Sequence, residues 1–173
     1  MPDLTVDWFV AAAARFGNGS RDKPFHDPWL AIRAAGPGDV IHIAAGTYFG
    51  RYDRSSWIVE CPDLTIRGGY SLDFSKREPW RTPSVFAAFQ GYESTRENNL
   101  IGGRGDHSGL ILDGLFFDAS GRNTYGDKAA DGIRSYSRMD GPIASCNCGE
   151  VTIKNCVCAN STSGGVELAG NGS

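Results

Sequence analysis

Alternating aliphatic and polar positions recur four times along the chain. The segments are Val40-Ile41-His42-Ile43-Ala44-Ala45-Gly46, Leu64-Thr65-Ile66-Arg67-Gly68-Gly69-Tyr70, Leu110-Ile111-Leu112-Asp113-Gly114-Leu115-Phe116-Phe117 and Val151-Thr152-Ile153-Lys154-Asn155-Cys156-Val157-Cys158. A period of two turns every second side chain to the same face, the mark of a strand with one side buried. The last two segments align without a gap, which sets Asn155 opposite Gly114, Cys156 opposite Leu115 and Cys158 opposite Phe117.

Shorter apolar runs follow each repeat: Trp57-Ile58-Val59 after the first, Pro83-Ser84-Val85-Phe86 and Asn99-Leu100-Ile101 after the second. Gly132-Ile133-Arg134-Ser135-Tyr136 and Pro142-Ile143-Ala144 follow the third, and Gly165-Val166-Glu167-Leu168 the fourth. Each unit therefore predicts three short strands forming one turn of a stacked coil. The polar stretches 73–82, 90–97 and 120–130 read as loop insertions, which such repeats tolerate on one face.

A stack of coils needs its first coil covered, because an open end exposes core and unpaired strand edges. Residues 26–36 predict an amphipathic helix that does this, with Asp27 as N-cap, Pro28 at the first helical position and Gly36 as the stop. Trp29, Ile32 and Ala35 form the face turned to the coil, and Pro37-Gly38-Asp39 is the turn into the first strand. Residues 1–39 are thus read as an N-terminal strand and capping helix, and 40–173 as coils, in one structural domain. The fourth unit runs into residues 169–173 without a third strand or a cap. The expectation is a fragment, or an open end that meets a partner or a second copy.

Composition agrees with short strands and many turns: 23 Gly stand where about 12 are usual. A net charge of −3 with scattered Lys and Arg provides no footprint for a phosphate backbone, which argues against nucleic acid as a partner. No apolar run reaches the roughly 20 residues needed to span a bilayer, and residues 8–14 are too short and lack the basic flank of a signal peptide.

Trp8-Phe9-Val10, then Asn18-Gly19-Ser20-Arg21-Asp22-Lys23-Pro24-Phe25, the helix, and Pro37 through Tyr48 together resemble the N-terminal signature of right-handed parallel β-helix proteins of the pectate-lyase-like superfamily. Leu64 through Ser71, Asp73-Phe74-Ser75 and Arg77-Glu78-Pro79 continue the resemblance, which covers nearly the whole chain. It implies an all-β, right-handed parallel β-helix and an extracellular or cell-surface setting. It implies no single activity, since that superfamily holds lyases, hydrolases, epimerases, phage tailspikes and non-catalytic surface proteins.

Candidate chemistry is sparse. Asp113, Asp118, Asp127 and Asp131 cluster on and after the third repeat; Asp118, Asp127 and Asp131 are either solvated turn residues or oxygen ligands for Ca²⁺. Similar enzymes use calcium with a Lys or Arg base, and Lys128 and Arg134 are the cations nearest that group. Tyr48, Tyr52, Trp57, Tyr125 and Tyr136 are candidates for stacking on sugar rings of a polysaccharide, although some bulky aromatics must fill the core. Cys146, Cys148, Cys156 and Cys158 pair at a spacing of two, open to readings as buried thiols, a disulfide or a metal site. Asn155 reads as a structural amide at a tight turn. The favoured reading is a non-catalytic scaffold or binding module; the alternative is a calcium-assisted lyase or epimerase acting on an acidic polysaccharide.

Overall fold

A computed structural model describes residues 5–50, 57–87, 100–103, 106–118, 143–145, 150–160 and 166–168. The architecture is β-rich, with three parallel sheets and one short helix among the described residues. The first sheet contains β1 (Asp7–Val10), β2 (Val40–Ala44), β5 (Thr65–Tyr70), β8 (Leu110–Asp113) and β11 (Val151–Lys154), in that spatial order. The second stacks β3 (Gly46–Phe49), β6 (Ser84–Ala87), β9 (Leu115–Asp118) and β12 (Val157–Ala159). The third stacks β4 (Trp57–Val59), β7 (Ile101–Gly103), β10 (Ile143–Ser145) and β13 (Val166–Leu168). From β2 onward the chain visits the three sheets in rotation, and each pass adds one strand to each.

The pairing explains the repeats. Ile41, Ile66, Leu112 and Ile153 stand in one row across four strands of the first sheet, and Tyr48, Phe86, Phe117 and Cys158 in one row across the second. Each row places apolar groups over one another inside the stack, and Ile41, Ile66, Phe86 and Phe117 are fully buried. Phe86 meets Tyr48, Trp57 and Phe117 with ring centroids 6.0, 4.6 and 5.5 Å away. Burial of each such side chain contributes about 1.5–3 kcal/mol, so these rows supply much of the driving force.

Two expectations change. The pattern predicts one strand per repeat, but the first, third and fourth bend at Ala45, Gly114 and Asn155 and so lead into two strands in different sheets. Gly114 and Asn155 share a left-handed backbone, φ 71° and 53°, which the corner demands. The helix α1 spans Pro28–Ala34, with Asp27 accepting a hydrogen bond from Trp29 N at 2.9 Å. It stops at Ala35 in extended conformation, one residue before Gly36; the left-handed glycine of the following turn is Gly38, φ 84°. The run 132–136 and the insertions 90–97 and 120–130 lie outside the described residues.

The N-terminal edges are covered in different ways. β1 adds to β2 in register, and Phe9 and Ala11 bond in turn to the backbone of Gly19 and Phe25. Buried Ala31 and Ile32 of α1, with half-buried Trp29 and Ala35, pack on the core.

Candidate functional site

Two of the aromatics proposed to stack on sugars belong to the core. Trp57 is 0% and Tyr48 3% exposed, and the Tyr48 hydroxyl donates to Ala44 O at 2.9 Å inside the stack. Their positions on the strands turn them inward, which the local pattern left open. Burial raises the Tyr48 phenol well above its ordinary value. Tyr52, Tyr125, Tyr136, Asp127, Asp131, Lys128, Arg134, Cys146 and Cys148 lie outside the described residues. Asp118 is half-buried and accepts from Asn160 Nδ2 at 2.8 Å. Cys156 and Cys158 are free thiols, half-buried against the core. Burial pushes both up, Cys158 to about 11 with the Cys156 thiol adding to the effect.

A polar network joins successive passes at the corner between the first and second sheets. Asp113 is buried and receives Arg77 Nη2 at 2.8 Å and Asn155 Nδ2 at 2.9 Å on one carboxylate oxygen. Arg77 also donates to the carbonyls of Gly68 and Asp113, at 2.9 and 3.1 Å, and lies over the Tyr70 ring. Burial opposes the charge of Asp113, but the hydrogen bonds from Asn155 and Arg77 and the nearby cations outweigh it and hold the carboxyl below its usual range. Asp113–Asn155 and Asp118–Asn160 repeat at the same separation of 42 residues, so one kind of amide–carboxylate link is used at two corners. Ser84, also buried, accepts from Gly69 N and sits 2.8 and 2.9 Å from the carbonyls of Ile43 and Ala44. In the sequence Asp113 belongs to an acidic group, and nothing local marks Arg77 as its partner or Ser84 as a buried link between strands.

A different surface has the features of a binding site. The loop following β1 and the loop following β5 enclose an open cleft of about 470 Å³ lined by Ala13, Arg15, Phe16, Asp22, Lys23 and Leu72, among others. Phe16 is 99% and Leu72 65% exposed, and Phe16 takes a left-handed backbone, φ 54°. The two loops are tied together: the Arg21 guanidinium donates to Asp73 O at 3.1 and 3.4 Å. Asp73 itself accepts from the Ser71 and Ser75 hydroxyls at 2.6 and 2.8 Å and from Ser75 N at 3.1 Å. No family model, curated protein or solved structure matches this chain.

The groups of the corner network bond one another and the neighbouring backbone, which ties successive passes together. The cleft offers an exposed ring, aliphatic walls and two cations, a setting for contact with another molecule. Among the described residues no group of three or more His, Cys, Asp or Glu is arranged to hold a metal ion.

Proposed function

We propose that the chain is a right-handed parallel β-helix of the pectate-lyase-like type, closed at its N-terminal end by β1 and α1, and that it works as a non-catalytic scaffold or binding module. The observation that carries this reading is the rotation of strands through three parallel sheets, one strand per sheet per pass. Asp113 bound to Arg77 and Asn155, and Asp118 bound to Asn160, favour carboxylates used to hold passes together. The function then rests on exposed loops, as is usual where a rigid stack presents variable connections.

The test is thermal unfolding with and without millimolar Ca²⁺, since a ligand of the folded state alone raises the midpoint. We expect equal midpoints. A rise that Asp131→Ala abolishes, together with unsaturated products (lyase) or inverted uronate residues (epimerase) from an acidic polysaccharide, would replace this reading by a calcium-assisted lyase or epimerase with Asp118, Asp127 and Asp131 as ligands and Lys128 or Arg134 as base.

A further inference from the structure

We propose that the cleft between the loops after β1 and β5 is a docking site for an extended protein segment that presents an apolar side chain beside a carboxylate. This rests on the reading of the chain as a binding module and names the partner of its loop-bearing corner.

Phe16 is the first ground. Its ring buries almost nothing, and a left-handed backbone is disfavoured for an L-residue with a bulky side chain. A side chain that costs the fold and gains no burial from it is positioned for contact outside the molecule. Leu72 stands exposed on the opposite wall, so an incoming side chain meets apolar surface on both sides.

The second ground is preorganisation. The Arg21–Asp73 link joins the walls, the Ser71–Asp73–Ser75 turn stiffens one of them, and buried Ala11 packs with Phe74 and Ala44 beneath. A partner therefore need not order the cleft on binding. The volume lies within the range of about 300–1,000 Å³ typical of ligand pockets.

Charge and lining select the partner. Arg15 and Lys23 face one acidic group, Asp22, in a chain whose net charge is −3, so the cleft is a locally cationic spot that complements a carboxylate. Neither cation has an ion-pair partner among the described residues. Beside these three charged groups the lining is Ala, Pro, Phe and Leu, so apolar surface predominates over groups that could bond a sugar's hydroxyls. Ala, Pro and Leu walls around an aromatic ring suit an apolar anchor residue instead.

The experiment follows backbone amide NMR shifts of the full chain on titration with acetyl-Asp-Phe-Asp-amide, acetyl-Lys-Phe-Lys-amide and D-glucuronate. The acidic peptide is expected to shift amides of residues 11–24 and 71–76, with the basic peptide at least about tenfold weaker and glucuronate silent. Phe16→Asn, a residue that tolerates the left-handed region, should weaken the acidic peptide about tenfold or more while leaving the melting temperature equal or about 2–4 °C higher. Arg15→Glu should weaken the peptide and leave the melting temperature unchanged. No shifts in the cleft, equal response to both peptides, or a response to glucuronate alone would overturn the proposal. So would a fall of several degrees in Phe16→Asn, which would make Phe16 a residue of the fold. A calcium-dependent rise in midpoint would sink the module reading while the peptide titration still reports on the cleft.

Discussion

Asp39 joins the segments on either side of α1 to each other. It is buried and accepts from Val6 N at 2.8 Å, Trp8 Nε1 at 2.9 Å and Gly36 N at 2.9 Å, so it fastens the N-terminal strand to the turn that opens β2. Burial opposes its ionisation, but these donors outweigh that cost and hold its carboxyl below the usual range. Asp113 is lowered in the same sense, and exposed Asp73 is lowered to about 2 by the Ser71 and Ser75 hydroxyls and Ser75 N. Carboxyls depressed in the folded state contribute stability that is fully present above the unfolded value of about 3.9 and is lost as pH falls through the folded values. We expect a melting temperature that is level from about pH 7 to 5 and falls below about pH 4, as followed by circular dichroism. Asp39→Ala leaves three donors without their acceptor and should cost about 3 kcal/mol in urea unfolding at pH 7. At the same scale, a Cys158 thiol raised from 9.0 to about 11 should react with iodoacetamide at pH 8 about a hundredfold more slowly than in the unfolded chain, measured by mass spectrometry.

Among the elements, the corners between sheets are more demanding than the strands. A Cβ on Gly114 would stand 2.5 Å from Arg77 Nη2, 2.8 Å from Pro79 Cγ and 3.0 Å from Gly68 O, at a left-handed φ of 71°. Gly114→Ala should therefore cost more than about 2 kcal/mol, through strain and through displacement of the guanidinium from Asp113. Asn155→Gly keeps the backbone conformation and removes one hydrogen bond to a charged acceptor, so about 1–2 kcal/mol is expected. A larger loss for Asn155→Gly than for Gly114→Ala in denaturant unfolding would contradict this account of the corner. The helix α1 is short, and its cap matters accordingly: Asp27→Ala should cost about 1 kcal/mol, with the Trp57 indole, 3.5 Å from Asp27 Oδ1, reporting the change by fluorescence.

For the whole molecule, the stack holds by contacts between neighbouring passes, so local damage should spread along it. Trp57→Ala removes the fully buried indole that meets Phe86 edge-on, and a loss of about 3–5 kcal/mol is expected, comparable to the stability of many single domains. β11, β12 and β13 are the outermost described strands of their sheets at the end opposite the cap. Half-buried Val151, Ile153, Cys156 and Cys158 lie along that end. Among the described residues no helix is long and apolar enough to cross a membrane.

The repeat was legible because inward rows must be apolar at every pass, a constraint that writes the same period into distant segments. The alignment of Val151 through Cys158 with Leu110 through Phe117 became the observed register, and the cap helix was readable from Asp27, Pro28 and its apolar face. What only the tertiary structure decided depends on side chains far apart in sequence. Tyr48 and Trp57 turned out to be core because the passes close over them, and Asp113 became a structural carboxylate because Arg77 and Asn155 converge on it from other strands and loops. The cleft was equally hidden, since its walls come from residues 11–24 and Leu72, which no local pattern connects. Period and propensity act over a few residues; which groups meet across some 40 residues or more is set by how the passes stack.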